Sequence, residues 1–175
     1  MYVQNVGVKE MFRALKKVFK QEEDKQEVIG APIVGKVVAI TEVSDPTFGQ
    51  EILGKGVAII PSEGKVVAPV DGRIEMMFDT KHAITMKSKT GTEILIHIGL
   101  DTVTLNGEPF HAYVEAGQHV RAGDLLLEFD INAIKDAGLD IISPIVICNT
   151  EEYSDIISYT DKTVKVLEEV LAIIK

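Results

Sequence analysis

The chain has 175 residues, 46% hydrophobic and 26% charged, with a formal net charge of −9. That length suffices for one domain with a buried core, and the composition excludes chain-wide disorder. It also lacks any apolar run near the roughly 18 residues of a membrane span, a secretory signal, the basic patch of a nucleic-acid binder, and a second cysteine to pair with Cys148. These exclusions point to the cytoplasm.

Charge is unevenly spread. Lys9, Arg13, Lys16, Lys17 and Lys20 stand against Glu10 alone in the first 20 residues, which makes that stretch basic and the remainder strongly acidic. Val8, Met11, Phe12, Leu15, Val18 and Phe19 recur at helical spacing among those cations. The pattern predicts a short basic amphipathic helix, followed by the polar run Gln21 to Glu27. Residues 1–27 therefore read as a segment and linker apart from a domain over 28–175. Such a helix suits an anionic membrane surface; packing on its own domain is the alternative.

From Val28 onward, short apolar or alternating runs are divided by Gly, Pro and Asn. They predict strands at 34–40, 56–60, 64–68, 73–78, 82–87, 93–98, 102–105, 125–129 and 144–148, with further strands at 162–166 and 170–174. One short helix is expected at 131–137, capped by Asp130 and ended by Gly138. The fold class that follows is all-β: an antiparallel β-sandwich or barrel-sandwich hybrid with one or two short helices. Ala31-Pro32-Ile33-Val34-Gly35-Lys36-Val37 echoes Ala68-Pro69-Val70-Asp71-Gly72-Arg73-Ile74, which predicts an internal duplication. The glycine punctuation at 114–127 is that of barrel-sandwich domains.

Side chains alternate along a strand. Ile94, Ile96 and Ile98 therefore share a core face, and Leu95 and His97 lie on the other. Gly99, two residues on, is expected to leave open space beside the His97 ring. Across a turn at 88–91, Thr80, His82, Ile84 and Met86 share a largely apolar face, and Lys81, Thr85 and Lys87 a polar one. The Thr80 hydroxyl is close enough in sequence to fix the His82 tautomer. Two histidines on neighbouring antiparallel strands suit phosphoryl transfer, metal binding or general acid–base work, with a structural role as the alternative. His111 follows Pro109-Phe110 ahead of a turn, His119 falls in the polar turn 118–121, and both are expected at the surface.

Several strings narrow this choice: Ala68-Pro69-Val70-Asp71-Gly72, then Thr80-Lys81-His82-Ala83, then Ile96-His97-Ile98-Gly99-Leu100-Asp101-Thr102-Val103. With Gly107-Glu108, Gly117-Gln118, Gly123-Asp124, Asp130, Pro144 to Ile147 and Asn149, residues 28–150 resemble the glucose-type IIA component of the bacterial phosphoenolpyruvate-dependent sugar phosphotransferase system. The resemblance implies a phosphoryl carrier that takes its phosphoryl group from HPr and passes it to a IIB domain. It implies that His97 carries the group on Nε2, that His82 hydrogen-bonds the phosphoryl oxygens, that Thr80 orients His82, and that the Gly99 carbonyl holds the Nδ1 proton of His97. Asp45 and Asp101 match acidic residues flanking the site. Phe48, Phe78, Leu95 and Val103 match a rim where protein partners dock, although Leu95 stands where some relatives have an aromatic residue. No organic cofactor is implied; zinc at His82 and His97 is a possibility when a partner adds a carboxylate. The family also implies regulatory target proteins and membrane docking by the N-terminal helix.

Three other readings bear on the same residues. A biotinyl or lipoyl carrier needs a lysine at a hairpin tip, and Met86-Lys87-Ser88 is the nearest candidate. A zinc peptidase of the duplicated barrel-sandwich type needs a His-x-His pair, which is absent. A non-catalytic regulatory binding module of the same fold is the remaining alternative.

Overall fold

The computed structural model describes residues 5–23 and 26–175, with side chains for 7–17 and 26–175. In chain order the elements are α1 (Asn5–Glu23), β1 (Gln26–Gly30), β2 (Gly35–Ala39), α2 (Pro46–Gly49), β3 (Lys55–Pro61), β4 (Lys65–Val67), β5 (Gly72–Met77), β6 (Ala83–Ser88), β7 (Glu93–His97), β8 (Phe110–Ala112), β9 (His119–Val120), β10 (Leu125–Phe129), α3 (Ile131–Asp136), β11 (Ser143–Ile147), β12 (Asp155–Ser158), β13 (Lys162–Val164) and β14 (Glu169–Ile174). Short 3-10 turns cover Ile40–Glu42, Thr102–Leu105 and Thr150–Glu152.

An eight-stranded antiparallel sheet has the order β13-β2-β3-β11-β7-β6-β5-β9. Two three-stranded sheets, β1-β14-β12 and β4-β10-β8, pack on one of its faces. The main core lies between these layers and contains Val37, Ile59, Ile84, Ile94, Ile96 and Ile145 opposite Leu127, Phe129 and Leu171. Ile94, Ile96 and Ile98 are fully buried there, as the alternation predicts. A second, smaller core sits on the other face of the large sheet. Val38, Ala58, Ala83, Leu95 and Val146 form its floor, and Ile40, Val43, Phe48, Leu100 and Ile142 close over it. The histidines belong to this second side.

The duplication is visible in the hydrogen bonds. Leu167 N–H donates to the Ala31 carbonyl and Ala31 N–H to the Glu168 carbonyl; Gly123 N–H donates to the Ala68 carbonyl and Ala68 N–H to the Asp124 carbonyl. β2 and β5 both open on glycine, and a Cβ would stand 2.1 Å from the Ile60 carbonyl oxygen at Gly35 and 2.3 Å from that of Lys87 at Gly72. Only glycine permits that approach of two backbones. The large sheet reads alike from both edges when β13 is matched to β9, β2 to β5, β3 to β6 and β11 to β7.

Several expectations require correction. Residues 102–105 form a 3-10 turn rather than a strand. Asp101 and Asn106 hold left-handed φ of 57° and 52° at its two ends, and Thr104 donates from both N and Oγ1 to the Asp101 carbonyl. Local bonds of this kind compete with strand pairing. The strand expected at 162–166 stops at Val164, because the chain turns through left-handed Leu167. β1 takes up Gln26 and Glu27, which the sequence reading leaves in a linker, by pairing them with Ile174 and Ile173 of β14. The strands β8, β9 and β12 and the turn α2 are not predicted. The helix at α3 is as predicted, with the Asp130 carboxylate accepting from Ala133 N at 3.0 Å. α1 is longer than the short helix expected, and Val8, Met11, Phe12 and Leu15 are exposed on it. The side chains of Val18, Phe19 and Lys20 lie outside the described residues.

Candidate functional site

His97 is the last residue of β7 and pairs across the ladder with Ala83. His82 immediately precedes β6, and its carbonyl accepts from Ile98 N at 2.8 Å. The two ring centroids are 4.9 Å apart with the planes at 81°. The strand thus begins one residue later than expected, and His82 does not share the face of Ile84 and Met86. Lys81 turns through a left-handed φ of 56° just before the strand, and the His82 ring lies against His97 at the strand's entrance.

Each imidazole has its Nδ1 committed. His97 Nδ1 lies 2.8 Å from the Gly99 carbonyl oxygen. A carbonyl only accepts, so Nδ1 carries the proton and Nε2 keeps its lone pair. His82 Nδ1 lies 2.6 Å from Thr80 Oγ1. When that hydroxyl donates, the proton of the His82 ring sits on Nε2, which is then a donor on the ring that lies against His97.

Gly99 corrects a further expectation. The space beside it is filled: a Cβ would stand 2.7 Å from both the Asp140 carbonyl oxygen and Thr102 Cγ2. Its φ of 66° is left-handed as well. Glycine is needed here for conformation and for close approach together.

Burial governs the electrostatics. It pushes His97 below the ordinary imidazole range, more strongly than the Gly99 bond and the carboxylates of Asp45 and Asp101 raise it. Burial, assisted by repulsion from His97, lowers His82 to about 4. Both rings are therefore neutral at pH 7. A neutral His97 is a nucleophile, and a neutral His82 with a protonated Nε2 is a hydrogen-bond donor.

Aromatic rings frame the pair. Phe48 lies 5.0 Å from His97 and Phe78 lies 5.5 Å from His82, measured between centroids. Asp45 has a structural part in this arrangement, since its carboxylate accepts from Thr47 N at 2.9 Å and caps the short helix that presents Phe48. Asp101 is exposed at the left-handed corner after Leu100, and Val103 is exposed on the turn that follows. Leu95 is 7% exposed and belongs to the floor of the second core, not to the rim. Met76, unnoticed in sequence, is exposed in the row Met76–Thr85–Leu95 and extends the apolar border. Also missed are the Asp140 carbonyl and Ser143, which pack behind Gly99. His111 and His119 lie apart from the pair on exposed positions.

No group of three or more His, Cys, Asp or Glu is placed to hold a metal ion among the described residues. The pair by itself supplies two nitrogen ligands, fewer than a closed zinc site uses. A wide concavity of about 1140 Å³ lies elsewhere, over Phe110, Phe129, Glu63 and Glu128. That groove is lined by neither histidine of the pair, whereas the paired imidazoles bring two perturbed titratable rings together.

Comparison with known proteins places the chain in a family. Residues 27–153 match the family model described as phosphoenolpyruvate-dependent sugar phosphotransferase system, EIIA 1. The glucose-specific EIIA component of Oceanobacillus iheyensis is 44% identical over 158 residues, which are 90% of this chain and 92% of that protein. The glucosamine-specific EIICBA component of Bacillus subtilis is 53% identical over 129 residues, 74% of this chain but 20% of that longer protein. Glucose permease IIA from Mycoplasma capricolum superposes with a TM-score of 0.79 at 37% identity, covering 85% of this chain and 96% of its own. The chain belongs to the EIIA 1 family of the phosphoenolpyruvate-dependent sugar phosphotransferase system, whose members are phosphotransferases that carry a phosphoryl group in sugar uptake.

Proposed function

We propose that His97 is the phosphoryl carrier of this chain, that phosphorylated HPr is its donor and that the IIB domain of a sugar permease is its acceptor. The observation that carries the reading is the committed Nδ1 of His97, which leaves a neutral Nε2 nucleophile 4.9 Å, ring to ring, from a second neutral histidine. In the first transfer the Nε2 lone pair attacks phosphorus as the bond from phosphorus to the donor atom breaks, and that atom keeps the bond's electron pair. The Nδ1 proton stays in place, so no proton changes hands on His97. In the second transfer the acceptor's nucleophile attacks phosphorus and the Nε2 lone pair is returned.

Such transfers pass through a loose transition state, so the protein mainly positions groups and stabilises charge. His82 donates from Nε2 to a phosphoryl oxygen, with Thr80 holding the other nitrogen. Phe48, Phe78, Met76 and Val103 form an apolar border that a docked partner seals against water, which limits hydrolysis. The same border suits regulatory target proteins. The two Nε2 atoms suit zinc only when the His82 proton leaves Nε2 and a docked partner completes the ligand set; partner binding that ignores zinc would remove that reading. The relatives' names favour a glucose-type sugar, and the EIICBA name places an A part beside B and C parts in one protein.

α1 serves as a peripheral membrane contact in this proposal. Lys9, Arg13, Lys16 and Lys17 accompany the exposed Val8, Met11, Phe12 and Leu15, a pairing that suits an anionic surface. No helix among the described residues is long and apolar enough to cross a membrane. Co-sedimentation with anionic but not neutral vesicles is the expected behaviour, and equal binding to both would contradict it.

Intact mass after incubation with phosphoenolpyruvate, enzyme I and HPr tests the carrier role. The expected result is one acid-labile phosphoryl group on the wild type and none on His97→Ala. A phosphoryl group retained on His97→Ala, or none on the wild type with an active HPr, would overturn it.

A further inference from the structure

The atoms that fix the His97 tautomer are themselves held by one remote segment, residues 140–143, which leads from α3 into β11. The peptide unit joining Gly99 to Leu100 accepts from His97 Nδ1 at its carbonyl and donates from Leu100 N to the Asp140 carbonyl at 2.9 Å. The preceding unit donates from Gly99 N to Ser143 Oγ at 3.2 Å, and the Ser143 hydroxyl donates onward to the Ile141 carbonyl at 2.9 Å. Asp140 Oδ1 accepts from Ile142 N at 2.8 Å and so bends the segment toward Gly99. Ser143 is fully buried at the head of a strand whose other residues, Pro144 to Ile147, are apolar. A hydroxyl in that place needs a reason, and its two bonds supply one.

We propose that Ser143 and Asp140 are positioning residues for phosphoryl transfer, clamping the Gly99–Leu100 peptide so that its carbonyl holds the Nδ1 proton and Nε2 remains the nucleophile. The inference rests on the carrier reading of His97. The physical argument is cooperative. His97 Nδ1–H, the Gly99 carbonyl, Leu100 N–H and the Asp140 carbonyl form one chain, in which each bond polarises the next. As the bond to phosphorus forms at Nε2, the ring gains positive charge and Nδ1–H becomes a stronger donor. A carbonyl already polarised through its own N–H is then the better acceptor, so the clamp favours the transition state over the ground state. The Ser143 bond keeps the neighbouring unit from rotating, which would swing the carbonyl away from the ring.

The test uses nitrogen-15 NMR of the His97 ring at neutral pH, together with the rate and pH profile of phosphoryl acceptance from phosphorylated HPr. Ser143→Ala should mix the two His97 tautomers and slow acceptance about five- to tenfold, the worth of one buried hydrogen bond; Ser143→Thr, which keeps the hydroxyl, should restore both. A purely structural serine would lower the melting temperature and leave the tautomer and pH profile unchanged, and that result would overturn the proposal. Should Ser143→Ala fail to fold, Asp140→Ala, whose side chain is exposed, carries the test with the same expected shift, and an unshifted tautomer there would overturn it equally. A wild type that takes no phosphoryl group would refute the carrier role instead, while the tautomer measurement would still judge the clamp.

Discussion

The two ends of the large sheet are near copies of each other, yet the paired histidines stand at one of them. Ile145 pairs with Val57 in one half and Ile96 pairs with Ile84 in the other. Counting outward from those pairs, His97 corresponds to Val146, His82 to Lys55, and Gly99 to Cys148. Left-handed Lys81 corresponds to left-handed Gly54, and each end runs into a 3-10 turn. The frame is therefore shared, and a few side chains decide its use. At one end two neutral rings face each other with their Nδ1 atoms committed. At the other, Val146 is fully buried, and Lys55 and Cys148 are exposed around a small hollow of about 270 Å³. Site chemistry here comes from occupants of a duplicated frame, not from the frame itself.

The comparison can be broken most severely at Gly99. Gly99→Ala introduces a Cβ against Asp140 and Thr102 at left-handed φ, and should cost about 2–4 kcal/mol of stability with loss of phosphoryl acceptance. Cys148→Ala, at the matching position, should cost less than about 1 kcal/mol and leave acceptance intact. Chemical denaturation of both variants checks this; equal losses would mean that the two ends are not differently built.

His82→Gln comes next. The amide still accepts or donates one hydrogen bond but cannot reproduce the Thr80-oriented ring. Acceptance onto His97 should persist, while onward transfer to a IIB domain should fall about a hundredfold. Single-turnover transfer measurements separate the two steps.

Acid should weaken the same end. His82 is lowered to about 4 in the folded state and lies near 6.5 when unfolded. Between those values the unfolded chain binds the proton and the folded chain does not, so stability is full above about pH 6.5 and is lost as pH falls toward 4. The His82 share of the loss between pH 7 and 4.5 should be on the order of 2 kcal/mol, and His82→Gln should reduce the slope, with lowered His97 keeping the remainder. An unfolding series across that range reads the slope directly.

The smallest effect is expected where the repeats differ in turn chemistry. Leu167 holds φ of 68° where its counterpart Gly123 holds 91°. Leu167→Gly relieves left-handed strain but adds freedom to the unfolded chain, so stability should move by less than about 1 kcal/mol. A larger loss in thermal unfolding would show that the exposed leucine side chain matters more than its backbone.

Much of this frame was legible in residues that repeat or alternate. Ile94, Ile96 and Ile98 put His97 on the face away from the main core, and the two Ala-Pro segments announced the duplication. The string around His97 pointed to the family. What stayed hidden depends on single backbone torsions and distant contacts. The left-handed corner at Lys81 breaks the alternation before β6, and no pattern in Thr80 to Met86 signals it. The corner at Asp101 turns an apolar stretch that reads as a strand into a 3-10 turn. β1 and β12 are edges whose pairing with β14 is made by residues far along the chain. Ser143 lies 44 residues beyond Gly99, in a stretch whose apolar run drew attention only as a strand.

The central claim is that phosphate resides on Nε2 of His97 while Nδ1 keeps its proton. Phosphorus-31 and nitrogen-15 NMR of the phosphorylated protein measures both atoms at once. The account predicts a phosphorus coupling to His97 Nε2, a protonated Nδ1 still bonded to Gly99, and no change at Val146 or Cys148. Coupling to Nδ1, to His82 or to any other residue would contradict it.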